Sequence, residues 1–287
     1  MRLQGIRLTS IFLIFLLSSG CRLIGITLPG GQMTLEQQQL ALGNPSMARA
    51  DTASPNNYLL VRSQYALSYS RDRGTPNWVS WHVNKDWFGN APRQNDFKAD
   101  PALPGKWYRV TSRSYTGSGF DRGHNVPSAD RTRSAGDNSS VFLMTNIIPQ
   151  APDHNQITWA FLEDFTRNQV HAGNEVYVIM GSYGTGGAGS KGPAQTIDEG
   201  RVTVPARIWK VLVILPEGEN DLRRITPSTR VIAVDTPNDD TVKNTNWGAY
   251  RTSIDAIEEV TGYDLLSNLP KRIQRVIEAR IDDGPTR

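Results

Sequence analysis

Cysteine is almost absent: Cys21 is the only one in 287 residues, so no intrachain disulfide can form and the fold has to stand on its packed core. Long apolar runs are missing too. The one candidate, about Leu8 to Leu17, is too short to span a bilayer comfortably and follows Arg2 and Arg7, the pattern of a secretory signal over residues 1–20. No transmembrane segment is therefore expected in the mature chain. Strong net charge is also lacking. The formal +3 falls to about +1 once Arg2 and Arg7 are removed with the signal, so net charge argues neither for nor against an anionic partner. No internal repeat is visible. Ser18, Ser19 and Gly20 lead directly to Cys21, and Leu17-Ser18-Ser19-Gly20-Cys21 resembles a bacterial lipobox, in which the cysteine is acylated, although Leu stands one position further away than usual. Acylation at Cys21 and simple cleavage both stay open. Either route exports the chain, to the periplasm, to the medium or to a lipid anchor on the envelope.

What is present is an ordinary globular composition, 38% hydrophobic and 21% charged, long enough to bury a proper core. Residues 21–56 are rich in turn formers ("LPGGQ", "LGNPS", "TASPNN"), with only a short helix allowed around Thr34–Leu42, and read as a tether; residues 57–287 read as one domain. Tyr65, Leu67 and Tyr69 alternate, "RDRGTPN" turns, and Val79, Trp81 and Val83 alternate again, which predicts a strand pair. Further strands are expected at 106–111, 142–148, 175–180, 208–215 and 231–234. The clearest helix is "NQITWAFLEDFTRNQVHAG", where Trp159, Leu162, Phe165 and Val170 share an apolar side and Gly173 ends it. Two more are expected at 253–260 and 271–281. Strands without regular strand–helix alternation predict an α+β fold around a central, mainly antiparallel sheet flanked by helices. The segment "GSYGTGGAGSKGP" formally contains G-x-G-x-x-G, but Pro193 and the lack of helical periodicity leave no helix to receive a pyrophosphate. It reads as a hairpin loop.

The chemistry concentrates in "FDRGHNVPSADRT", residues 120–132. Gly105 to Ala135 carries Lys106, Arg109, Arg113, Arg122, Arg131 and Arg133 against Asp121 and Asp130, a local sum of +4 that would steer an anion. A phosphodiester is a poor electrophile. Cleaving it needs a base for water, positive charge around phosphorus and a means of stabilising the departing oxygen. His124 can be the base, and Arg122 can hold phosphate bidentately. About thirty residues on, Asn155 stands before the helix that carries Glu163 and Arg167. An amide oxygen suits a hard cation that keeps most of its waters, and a nearby carboxylate can hold those waters. Asn155 can equally be an N-cap of that helix. His82, His154 and His171 are read as structural.

Asp121-Arg122-Gly123-His124, "PSADR" and "FLMTNIIPQAPDHNQ" followed by Trp159 and Glu163 together resemble the sugar-non-specific DNA/RNA endonuclease family, whose site is a ββα-metal motif. The resemblance runs from about Asn57 to Leu269, with "NYLLVRSQYALSY" and "GTPNWVSWHVN" as upstream landmarks, and its cyanobacterial branch is the nearest. It implies that His124 deprotonates water, that Asn155 is the sole protein ligand of one Mg²⁺ (or Mn²⁺), and that Glu163 orients its waters while Asp121 supports metal and histidine. It further implies that Arg93 offsets transition-state charge, that Arg122 and Arg167 bind phosphate, and that products carry 5′-phosphates. DNA and RNA are the implied substrates, and an acidic protein inhibitor is an implied partner. Asn125 departs from the pattern, because an apolar residue is usual there; packing or water access should feel this more than chemistry. Two other readings compete: a non-catalytic envelope protein that captures DNA for uptake, and a hydrolase of another phosphodiester. Capture would need the arginines but not the base and metal ligand.

Overall fold

The computed structural model describes residues 33–287, so the expected signal segment and Cys21 lie outside the described residues. Helix α1 (Leu35–Gln39) precedes strands β1 (Tyr58–Val61), β2 (Ala66–Ser70) and β3 (Thr75–Val83). Then come β4 (Asp121–His124), α2 (Ala135–Ser140), β5 (Ile147–Gln150), a π-helical turn (His154–Trp159) that runs into α3 (Ala160–His171), and β6 (Asn174–Tyr183). Short strands β7 (Gly187–Gly189), β8 (Gly192–Ala194), β9 (Thr196–Ile197) and β10 (Val202–Thr203) follow. The chain continues with β11 (Arg207–Pro216), α4 (Asp221–Arg224), β12 (Arg230–Pro237), β13 (Arg251–Thr252), α5 (Ile254–Thr261) and α6 (Lys271–Ile277).

Seven strands form one sheet in the order β1-β2-β3-β6-β11-β12-β13, every pair antiparallel, which is the α+β architecture expected from the sequence. Both faces are covered, so its central strands are apolar almost throughout. Alternation still assigns the sides: Val176, Val178, Met180, Ile208 and Leu212 pack with Trp159, Leu162 and Phe165 of the π-turn and α3. Tyr177, Ile179, Trp209, Val211 and Val213 pack the other way, with Ile254 and Ile257 of α5 and Ile273 and Ile277 of α6. By the same parity Lys210, between Ile208 and Leu212, lies on the α3 side.

The structure departs from expectation in four places. From Thr34 onward the segment read as a tether is packed. Thr34 and Gln37 make a reciprocal capping box, and Leu42 and Ala48 are buried in the second core. Its turn formers fold the chain back, since Asn44 Oδ1 accepts from the Ala48 amide at 2.8 Å and Asn44 Nδ2 donates to the Ala48 carbonyl at 2.9 Å. The strand expected at 106–111 does not form: the segment puts only Val110 into a small separate core, and a helical turn at Ser112–Tyr115 follows directly and adds Tyr115. Of the strand expected at 142–148 only Ile147 and Ile148 belong to a strand, as the start of β5, while Leu143 makes a single bridge to Lys98. The helix expected from Asn155 exists, but its first turn is π-helical. The glycine-rich segment forms the β7–β8 hairpin, with no helix behind it.

Candidate active site

Strands β4 and β5 pair antiparallel, Asp121 opposite Gln150 and His124 opposite Ile147, and the chain then enters the π-turn and α3. Two strands and a helix thus form the site. Arg122 and His124 alternate onto one face of β4. Gly123 is dictated by its neighbour: a Cβ there would come within 2.6 Å of the Gln150 Cβ. Gln150 in turn donates to His154 Nδ1 at 2.6 Å, and His154 Nε2 lies 2.7 Å from Thr236 Oγ1. Thr236 Oγ1 donates onward to the Ile208 carbonyl, so His154 Nε2 carries the proton that Thr236 accepts. His154 is therefore a bolt between β5 and the sheet. His82 bonds Glu175 and His171 packs on Phe88, so all three of the other histidines lie outside the cleft.

A cleft of about 180 Å³ is lined by Arg93, Arg122, His124, Pro127, Ser128, Ala129, Asn155 and Glu163. His124 sits between the rings of Phe97 and Phe142, at centroid distances of 5.3 and 4.8 Å. The arginines close this stack from outside, Arg122 over Phe97 at 4.3 Å and Arg93 over Phe142 at 5.0 Å. His124 Nε2 is buried with no hydrogen-bond partner among the described residues. Burial first, then the charges of Arg93 and Arg122, bring its pKa down to about 3, so the ring is neutral at any ordinary pH. Neutral imidazole can accept a proton.

Asn155 does not cap the helix. It sits inside the π-turn, and its Nδ2 donates to Asp121 Oδ2 at 2.8 Å, where Gln156 Nε2 donates as well. With its nitrogen committed to Asp121, the amide turns its oxygen outward as a free lone-pair donor. π-Helical turns recur at functional sites. Glu163 is largely buried, with Oε1 3.7 Å from Lys210 Nζ. Burial pushes its carboxyl up to about 7, against the opposing pull of Lys210 and Arg167. Lys210 is fully buried over the faces of Trp159 (4.7 Å) and Trp81 (5.8 Å).

Of the seven residues singled out from sequence, Arg93, Arg122, His124, Asn155 and Glu163 line the cleft directly and Asp121 holds Asn155. Arg167 is not among the lining residues. Its guanidinium is taken by Asp130 at 3.1 Å and Asp164 at 2.5 Å. The +4 stretch is likewise not one basic surface, because Arg131 is wholly buried, bonding the Gln64 and His82 carbonyls. Phe97, Phe142, Gln150 and Lys210 were not foreseen. Lys210 had a readable signal, one lysine inside the apolar run "IWKVLVILP". Asn125, the departure from pattern, is fully buried; its Nδ2 donates to the Asn146 carbonyl at 2.9 Å and its Oδ1 has no partner.

Elsewhere, His82, Glu175 and Asp221 bring potential ligand atoms within 4.8 Å of one another. Their carboxylates are already engaged, Glu175 by His82 and Arg224, Asp221 by Tyr177 and Arg224. Among the described residues no helix is long and apolar enough to cross a membrane.

Residues 42–272 match the family model described as DNA/RNA non-specific endonuclease. The chain is 49% identical to a nuclease of Nostoc sp. over 244 residues, 85% of this chain and 86% of that one. It is 28% identical to a nuclease of Serratia marcescens over 243 residues, 80% and 82% of the two chains. A chain in the crystal structure of the EndoG/EndoGI complex aligns with a TM-score of 0.68 at 22% identity, covering 83% of this chain and 94% of that one, a shared fold.

Proposed function

Since this chain belongs to the DNA/RNA non-specific endonuclease family, we propose that it hydrolyses phosphodiester bonds of both DNA and RNA at the His124 cleft, leaving 5′-phosphates. One observation carries the reading: a neutral imidazole with an unpartnered nitrogen shares a small cleft with two arginines, an amide and a carboxylate. Water attacks phosphorus and its proton passes to His124. The P–O3′ bond breaks, the departing 3′-oxygen takes a proton from a water in the cleft to become a 3′-hydroxyl, and His124 returns its proton to solvent. Arg93 and Arg122 bind the phosphate oxygens and offset the charge that grows on them. His124 is a weak base while the cleft is empty. An anionic phosphate between the two arginines cancels part of the charge that depresses it, so binding substrate raises its basicity.

The residues present fit a hydrated divalent ion. The Asn155 amide has its nitrogen fixed on Asp121 and its oxygen free, and Glu163 lines the same cleft. Mg²⁺ or Mn²⁺ held there through Asn155 would supply positive charge at the phosphate and the leaving oxygen. Asp121 fixes the amide, and Glu163 holds waters in place. Arg167, bound to Asp130, acts in this account by fixing α3 and reaches phosphate only if that pair opens.

Export through the amino-terminal signal, with or without acylation of Cys21, belongs to the same proposal. An acidic protein inhibitor suits a cleft flanked by Arg93 and Arg122, and the related fold in the EndoG/EndoGI complex was solved with an inhibitor. Nucleic-acid gel zymography with Mg²⁺ is the test. Clearing of both DNA and RNA lanes is expected; binding without clearing would favour the non-catalytic capture reading.

A further inference from the structure

On the face of the molecule formed by α5 and the end of α6, three carboxylates converge. Asp255 and Glu258 stand one turn apart on α5, and Glu278 follows the last residue of α6. One oxygen from each lies within 4.8 Å of the others. Opposite ligands of an ion bound at about 2.4 Å are about 4.8 Å apart, so this spacing spans one Ca²⁺.

Two observations separate the cluster from an ordinary acidic surface. Among the described residues no lysine, arginine or histidine forms an ion pair with any of the three carboxylates. Lys271, close enough to influence Glu278, bonds Gln274 at 2.8 Å and Asp264 at 3.4 Å instead. Glu278 is also only 5% exposed, and its Oε1 is buried with no hydrogen-bond partner. A buried carboxylate with an oxygen that has no donor, grouped with two more carboxylates, is costly unless a cation or a proton joins it. Burial and the charges of Glu258 and Asp255 push the Glu278 carboxyl up to about 7.

We propose that Asp255, Glu258 and Glu278 form a Ca²⁺ site, separate from the nuclease cleft, that clamps α5 to the end of α6. Calcium is the ion of choice because it accepts all-oxygen ligands at flexible geometry and completes its shell with water. Asp255 is exposed and leaves that side open to water. Mg²⁺ is smaller and demands near-ideal octahedral geometry. Glu258 Oε1 already accepts from the Leu265 amide at 2.7 Å, so the ion would also fix the α5–α6 connection. Its effect would be on stability; the reaction cleft is formed by other elements.

The test uses the full folded domain carrying Asn155→Ala, which removes the amide proposed to hold the ion in the cleft. After dialysis against EDTA, calorimetric titration with CaCl₂ should give one binding event. Saturating Ca²⁺, at about a hundredfold excess over Kd, should raise Tm by about 5 °C or more. Adding Glu278→Gln should weaken binding at least tenfold and remove the Tm rise. Asp255→Asn, at an exposed position, should weaken it too while leaving nuclease activity intact in the chain that keeps Asn155, which guards against a misfolded Glu278 variant. Absence of Ca²⁺ binding at millimolar concentration in the Asn155→Ala protein would overturn the site. So would unchanged binding after both carboxylate substitutions.

Discussion

Lys210→Met is the sharpest perturbation that the interior offers. Met keeps most of the stem volume and its contact with Trp81 and Trp159, so the change isolates the ammonium. Lys210 Nζ is 3.7 Å from Glu163 Oε1, which at an effective dielectric constant of about 20 corresponds to about 4 kcal/mol of attraction. Loss of all of it would raise the Glu163 pKa by about three units, an upper bound. The sign follows from protonation. Glu163, already pushed up to about 7, is a neutral acid at pH 5.5 and asks for no cation; at pH 8.5 it is ionised and leans on Lys210. The buried ammonium itself is costly, so at pH 5.5 Met should be neutral or slightly stabilising. At pH 8.5, about 1.5 units above the Glu163 pKa of about 7, the variant should lose about 2 kcal/mol at most, since a carboxyl with a still higher pKa takes up a proton there, and Tm should fall on the order of 5 °C. Because only the carboxylate can hold the waters of a cleft-bound ion, the acid limb of the pH–rate profile should also move up by a unit or more, with a raised Mg²⁺ requirement at pH 7. Thermal unfolding at the two pH values and rate profiles at fixed Mg²⁺ read both effects. Equal loss of Tm at pH 5.5 and 8.5, or an unmoved acid limb, would refute the coupling of Lys210 to Glu163.

Three further outcomes are expected. In the Asp255→Asn variant, whose α5–α6 site is weakened, EDTA should stop activity without unfolding the domain, since an ion held mainly through Asn155 and water contributes little to stability, and Asn155→Ala should abolish the response to added Mg²⁺; a large loss of Tm on chelation of the Asp255→Asn chain would count against this. Activity should fall steeply with salt, and Arg93→Ala or Arg122→Ala should flatten the dependence of KM on ionic strength, because each removes a phosphate contact. Asn125→Leu should change stability by no more than about 1 kcal/mol and leave kcat within a few-fold: it gives up one hydrogen bond to Asn146 but also removes the unpartnered Oδ1. A kcat loss of a hundredfold would assign Asn125 a chemical role.

The central strands were legible because they are buried on both faces and long, so Glu175–Met180, Ile208–Leu215 and Val231–Val234 all fall inside β6, β11 and β12. The candidate site was legible through motif. "DRGH" and "HNQ" are read from neighbours in sequence, and the cleft brings Arg122, His124, Asn155 and Glu163 together. What stayed hidden depends on contacts between distant segments. β4 is only four residues long and polar, and it is a strand because β5 pairs with it. Residues 106–111 look extended, yet Arg109 donates to the Leu103 carbonyl at 2.8 Å and no neighbouring strand receives the segment. The turn formers near Asn44 read as linker chemistry because their partners at Ala48 and in the second core are invisible locally. Phe97 and Phe142 are ordinary core residues by sequence, and only their placement around His124 makes them part of the site. Arg167 shows a contact that its motif position does not reveal: Asp130, distant in sequence, pairs with the guanidinium at 3.1 Å.

The central claim is that His124 activates water for attack on the phosphate that DNA and RNA share. Matched DNA and RNA oligonucleotides should be digested with Mg²⁺ by the wild-type enzyme and by His124→Ala, followed by end analysis. The account predicts 5′-phosphate and 3′-hydroxyl ends on both nucleic acids, and a variant that folds and still binds them while turnover falls by about 10²-fold or more. Near-normal turnover by His124→Ala, or 2′,3′-cyclic ends on the RNA, would contradict it.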